Sequence, residues 1–263
     1  MGNYETKGRK LRDNGGDANL DQQLLAGEMN NRVRQQVLRR TLEHLGKAGK
    51  LELYAKVASS NVSTWAKRSG KRNEITPKVE VCRGDWGDVV QKMTKKYGVV
   101  YAALNMANAY MPGGGYVEGM VAQEENMFRR TSCHFFIDRK ELQPNELYPQ
   151  HMTDLINGEH HRVYLDTQRP RVCIRGSEAT RYRWFETDEI FPFFELRSAA
   201  DDLRGLGSHA FNESSSRRKI EAQFETLKQH GVRHVVLSAF GCGAFGNPPD
   251  RIAAIYKEAI AKY

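Results

Sequence analysis

The sequence predicts an α/β fold with a largely parallel sheet, on three observations. Residues 99–105 (VVYAALN) and 232–240 (VRHVVLSAF) are continuous apolar runs of strand length. Such runs belong to strands buried on both faces, hence to parallel sheets covered by helices. Segments with helical spacing alternate with them, as in an α/β domain. Each run is followed by a glycine loop, GGG at 113–115 and GCGAFG at 241–246, where a strand must give way to a helix.

The elements follow in order. Residues 1–30 are polar and read as an extended arm. Val33, Val37, Leu38, Leu42 and Leu45 fall at helical spacing over 31–47, and Arg34, Arg39 and Arg40 beside them read as a solvated charged face. Residues 67–73 (KRSGKRN) form a basic linker. Residues 79–82 suggest a strand and 87–97 a helix that Gly98 ends. An amphipathic segment covers 120–130, and 172–174 and 191–196 are further strand candidates. Ile220, Phe224 and Leu227 share one face of a helix over 216–230 that stops at Gly231. Pro248 and Pro249 suit the first turn of a final helix. The expected division is 1–75, a polar arm and accessory helical region, and 76–263, the organised domain.

Composition narrows the function. The 263 residues are 40% apolar, enough for one core, and contain no apolar run of 18. No secretory signal is visible at the N-terminus. Cys82, Cys133, Cys173 and Cys242 form no C-x-x-C pair, which argues against a zinc ribbon or a disulfide framework and for a reducing compartment. The formal charge of +8 favours an acidic, phosphate-rich partner.

Both glycine loops are expected at the carboxyl ends of parallel strands, the edge where open α/β sheets bind ligands. Successive N–H groups there can cradle a phosphate. Gly241, Gly243 and Gly246 also satisfy G-x-G-x-x-G. The dinucleotide fingerprint, however, needs a further strand with an acidic residue about 20 positions on, and no such strand follows. Gln123, Glu124 and Glu125 stand early in a helix, where the macrodipole alone favours acids. Asn105 and Asn108 just upstream add polar groups at the same edge. Adjacent helical residues point about 100° apart, so the two glutamates cannot flank a bond as ordinary glycosidase pairs do. One carboxyl acting as an acid and the other holding a ribose fits better.

ALNMANAYMPGGGYVEGMVAQEENMFRR, with GGG followed by QEE, resembles the signature of the poly(ADP-ribose) glycohydrolase family. VVLSAFGCGAFGNPPD resembles the family's diphosphate-binding loop in its bacterial-type, macrodomain-only form. The similarity spans about residues 76–263. It implies a macrodomain-like three-layer α/β/α sandwich with a mixed, largely parallel sheet and an N-terminal helical extension. It implies a glycosidase that cuts ribose–ribose O-glycosidic bonds in poly(ADP-ribose) and releases ADP-ribose, with no metal, cofactor or covalent nucleophile. Glu125 would be the general acid. Glu124 would orient the distal ribose, with Asn108 as a further contact and Asn105 and Gln123 lining the same site. Gly113, Gly114 and Gly115 would admit the ligand. Gly241, Cys242, Gly243, Ala244 and Phe245 would wrap the diphosphate.

The partners implied are ADP-ribose, its polymer and ADP-ribosylated proteins, with no membrane and no direct nucleic-acid ligand; a monomer is expected. The compartment expected is the cytoplasm, or the nucleus or a host cytosol if the protein is an effector. Two alternatives keep the fold: a hydrolase of mono-ADP-ribosylated proteins, and a non-catalytic ADP-ribose reader. Retention of both glutamates counts against the reader. The sequence given stops before a last strand usual in the family, so either the sequence is short there or the sheet is closed differently. Glu159, His160 and His161 lack metal-ligand spacing, and Phe191, Phe193 and Phe194 read as core.

Overall fold

The computed structural model describes residues 29–69 and 78–263. Most of the expected polar arm, most of the basic linker and the boundary between 75 and 76 lie outside the described residues. Within them the order is α1 Asn31–Leu45, α2 Lys50–Ser69, α3 Trp86–Tyr97, β1 Tyr101–Met106, α4 Gln123–Arg130, α5 Gln150–Ile156, β2 Tyr164–Leu165, β3 Arg171–Cys173, β4 Phe191–Ser198, α6 Glu213–Gln229, β5 Val235–Val236 and α7 Pro249–Lys262.

The VVYAALN run becomes β1, the central strand. It pairs in parallel with β4, from Tyr101 opposite Phe193 to Met106 opposite Ser198, and in parallel with β5. Strands β2 and β3 run antiparallel along the other side of β4. The sheet is therefore mixed, parallel at its centre and antiparallel at one margin. Alternation along β1 explains the layers. Tyr101 and Ala103 enter one core with Leu38, Trp65, Val90 and Phe128 from α1 to α4. Ala102 and Leu104 enter the other, with Ile220, Leu227, Ile252 and Ile255 from α6 and α7. Phe191 and Phe193 are fully buried in the first core.

Local signals set the helix ends. The Asp85 carboxylate accepts the Gly87 N–H at 2.8 Å and starts α3, and Gly98, at φ +66°, ends it in the left-handed region. A Cβ at Gly98 would overlap the Ala66 backbone, so that glycine also lets α2 pack against α3. Helix α2 escapes the sequence reading, although Leu51, Tyr54, Ala58, Val62 and Trp65 carry helical spacing. The polar stretch 59–64 obscures it; there the Ser63 and Thr64 hydroxyls donate to carbonyls one turn back.

Three expectations need correction. Residues 79–82 form no strand: Val79 and Val81 are exposed, while Glu80 accepts hydrogen bonds from Lys96 and Tyr97 at the end of α3. The run 232–240 pairs only at Val235 and Val236 and is half-buried, because β5 is an edge strand with β1 on one side alone. Arg34 is not solvated. It is buried and forms a two-pronged pair with Glu178, Nε to Oε2 at 2.9 Å and Nη2 to Oε1 at 2.8 Å.

Candidate active site

The three parallel strands end on one edge, and the loops that follow β1, β4 and β5 gather there. Gln123 fixes the junction of the first loop with α4. Its Nε2 donates to the Leu104 carbonyl at 2.7 Å and its Oε1 accepts the Met106 N–H at 2.9 Å. The carboxamide thus continues the ladder at the end of β1. Gln123 holds backbone at the end of β1 with both its amide nitrogen and its amide oxygen.

That clamp places Glu124 and Glu125 under the GGG loop. Glu124 accepts the Asn108 N–H on Oε2 at 2.7 Å and the Gly113 N–H on Oε1 at 3.1 Å. Glu125 accepts the Gly115 N–H on Oε1 at 2.9 Å, which leaves Oε2 without a partner among the described residues. The loop crosses so closely that a Cβ on Gly114, at φ +52°, would collide with Glu125 Oε1, and one on Gly113 would sit 2.6 Å from the Tyr116 ring. Burial pushes the Glu124 carboxyl up to about 8, the Glu125 charge adds to the shift, and the Asn108 N–H opposes it. Two adjacent carboxyls are tolerable because the more deeply buried one favours its neutral form.

The second loop is built differently. Asn247 ties its ends together, its N–H donating to the Gly241 carbonyl at 3.0 Å and its Nδ2 to the Asp201 carbonyl at 2.7 Å. Between these anchors, Gly243 and Ala244 are exposed and Phe245 is half-buried. The amides of Gly243, Ala244 and Phe245 donate to no carbonyl among the described residues. Three successive N–H groups ahead of α7 suit an anionic diphosphate. Arg204, from the loop after β4, stands beside the second loop. Its guanidinium stands 5.1 Å from the Phe245 ring centre, and its partner Asp202, with a further contribution from the Glu125 charge, raises its pKa.

A family described as microbial-type PARG, catalytic domain, matches residues 22–168, more than half of the chain. The chain belongs to this family. Among solved structures it resembles the poly(ADP-ribose) glycohydrolase of Thermomonospora curvata at 22% identity and a TM-score of 0.60, over 85% of each chain. The same enzyme bound to the inhibitor ADP-HPD gives 22% and 0.58, over 85% of this chain and 84% of that one. The Deinococcus radiodurans enzyme in complex with ADP-ribose gives 18% and 0.51, over 77% of each chain. No curated protein matches. The resemblance seen in the two motifs is borne out, and so is the mixed α/β fold. Among the described residues no helix is long and apolar enough to cross a membrane.

The family match includes GGG and QEE and ends before the second loop. Asn105 is fully buried near the end of β1, and its Nδ2 donates to Glu195 at 2.9 Å. Asn108 stays at the loop, where its Oδ1 accepts the Tyr110 and Met111 N–H groups. Cys242 is half-buried beside the Phe240 carbonyl. Cys133 is fully buried with its thiol pKa raised by that burial, so it is no exposed nucleophile. Neighbouring His134 instead pairs Nδ1 with the Tyr116 hydroxyl at 2.9 Å, beneath the glycine loop. The Arg139 guanidinium donates to its Nε2, so the ring is neutral with the proton on Nδ1. Burial brings the His134 pKa down to about 3. Arg129, fully buried, donates to the Met120 carbonyl at 2.9 Å and fixes the far end of the loop. Sequence spacing points to none of Arg204, His134 or Arg129, because the groups that tie them to the loops, the Phe245 ring, the Tyr116 hydroxyl and the Met120 carbonyl, are remote in the chain or belong to the backbone.

Proposed function

We propose that this chain hydrolyses the ribose–ribose O-glycosidic bonds of poly(ADP-ribose) and releases ADP-ribose, with Glu125 as general acid. The observation that carries this reading is the asymmetry of the glutamate pair. Glu124 spends both oxygens on the backbone of the glycine loop, whereas Glu125 is oriented by one N–H and keeps Oε2 open. An acid must be held in place and still have a free oxygen to give the proton from.

In the proposed reaction the diphosphate lies on the amides of Gly243, Ala244 and Phe245, and the ribose reaches Glu125 over Gly114. Asn108 Nδ2, unused by the turn that its oxygen caps, faces the ribose. Glu125 Oε2 gives its proton to the departing ribose oxygen as the glycosidic bond breaks. Water adds to the oxocarbenium-like carbon and returns a proton to the Glu125 carboxylate. Glu124 acts through the loop: it fixes Asn108 and Gly113 and so sets where the sugar meets Glu125.

The test is release of ADP-ribose from automodified polymer and, in parallel, from mono-ADP-ribosylated protein. The expected result is release from the polymer, with Glu125→Gln lowering kcat by about 10²–10⁴ while ADP-ribose still binds. Release from the mono-modified protein alone would keep the site and change the substrate. Full turnover in Glu125→Gln would remove Glu125 as the acid.

A further inference from the structure

A second cleft lies away from the glycine loops, where the carboxyl-terminal half of α1 meets the segment after β3. It is open, has a volume of about 260 Å³ and is lined by Arg40, Glu43, His44, Lys47 and Trp184. Asn31, at the other end of α1, has its carbonyl against Gly119 in the first loop. At about 1.5 Å per residue, His44 is roughly 20 Å further along the helix.

Trp184 is a fixed aromatic platform. The Arg175 guanidinium lies 3.4 Å from the centre of its ring, and Arg175 is itself buried and anchored, Nε on the Thr41 hydroxyl and Nη1 on the Tyr182 carbonyl. Trp184 nevertheless stays 38% exposed, against 6% for Trp65 and Trp86. His44, held by the Tyr54 hydroxyl at 2.7 Å, stands beside it with ring centres 4.8 Å apart. Burial and the charges of Lys50, Lys47 and Arg175 push the His44 pKa below its ordinary value, a sign of positive potential in the cleft. An aromatic surface in a positive field suits a base that carries phosphate. Glu43 at the rim disfavours a bare anion and suits a ligand that also presents N–H donors, as an adenine amino group does. The volume is below the roughly 300–1,000 Å³ of sites that enclose a drug-sized ligand, so one base would fit with its phosphates at the rim.

We propose that this cleft is a second substrate-holding site, which takes an adenine–phosphate unit of the polymer remote from the bond being cut, with the base on Trp184 and the phosphates against Lys47. It rests on the polymer reading above. The glycine-loop site would work on one unit while this site retains the rest of a long chain, which raises the local concentration of further bonds.

Binding and turnover test it separately on the full chain. AMP titrated against the protein should quench tryptophan fluorescence saturably. Trp184→Leu should abolish that quench and Lys47→Glu weaken it about tenfold, while inorganic phosphate should give none. In turnover, both variants should leave kcat and KM on a two-unit oligomer within about twofold and raise KM on long polymer about tenfold. Absence of a saturable quench, or an unchanged long-polymer KM in both variants, overturns the proposal. Salt-dependent binding of single-stranded RNA that needs Trp184, with the long-polymer KM unchanged, assigns the cleft to nucleic acid and also overturns it. A quench that depends on Trp184 and Lys47 in a protein inactive on every substrate would support the cleft as a base–phosphate site and sink the catalytic reading instead.

Discussion

In the first glycine loop, a Cβ added at Gly113, Gly114 or Gly115 would press on Tyr116, Glu125 or Met120. In the second, one added at Gly241 would meet Ala200 and Asn247 at the loop's base, but one at Gly243 or Gly246, at its tip, would meet nothing within 4 Å among the described residues. The two loops follow neighbouring parallel strands and look alike in sequence. The first needs glycine because the protein's own side chains, Tyr116, Met120 and the carboxylate of Glu125, occupy the space beside it, while Glu124 and Glu125 hold its N–H groups. The second leaves the N–H groups of Gly243, Ala244 and Phe245 without a carbonyl acceptor among the described residues, and Gly243 leaves room for something that arrives from outside. A glycine motif therefore marks close approach without saying whether protein or ligand approaches.

The largest effect expected from this contrast is in the first loop. Gly114→Ala puts a side chain at φ +52° and drives its Cβ into Glu125 Oε1. The left-handed conformation alone costs about 1–2 kcal/mol, and moving a catalytic group by about 1 Å can cost about 10²-fold in rate. Unfolding experiments should show the loss of stability and single-turnover assays the loss of kcat. A variant with wild-type kcat would mean that the loop does not set the position of Glu125.

Much of the fold was legible because its signals are local. The VVYAALN run, the Gly98 stop and the apolar faces of α1 and α6 each show within a short window. The run 232–240 misled because an apolar pattern cannot tell a central strand from an edge strand. Helix α2 was lost under its polar middle. At the site, GGG and QEE were visible together, yet their hydrogen bonds were not. Spacing could place Asn105 and Gln123 near the carboxyl end of β1, but β1 alternation buries Asn105 against Glu195, and the end of the ladder takes the Gln123 amide. Those outcomes depend on which face of a strand a residue occupies and on which backbone groups lack partners, which only the assembled sheet decides.

A second, smaller effect separates two buried glutamates. Burial pushes Glu195 upward too, but Arg197 and Arg171, both bonded to its carboxylate, hold it at about 2. Among the described residues no arginine is bonded to Glu124, which stands at about 8. A carboxyl raised in the folded state contributes stability that is fully present below its unfolded value near 4.5 and is lost as pH rises through about 8. The Glu195 contribution runs the other way, present above about 4.5 and lost as pH falls through about 2. Urea unfolding from pH 5 to 9 should show a decline that Glu124→Gln lacks. Parallel curves for the two proteins would show that Glu124 ionises at an ordinary pH.

The smallest effect is expected in the second loop and is the sharpest test of the contrast. Gly243 does not have a left-handed φ, and an added Cβ meets no atom. Gly243→Ala should therefore fold as well as the parent, or gain about 0.4–1 kcal/mol from a less flexible unfolded chain. Its methyl group would nonetheless project where a diphosphate settles on the amides of Gly243, Ala244 and Phe245. KM should rise several-fold with kcat kept, because the chemistry happens over the other loop and only binding is disturbed. An unchanged KM at unchanged stability would mean that the open amides hold no ligand. The diphosphate would then have to be placed elsewhere on the edge, with Arg204, 5.1 Å from the Phe245 ring centre, as a cation on which it could settle.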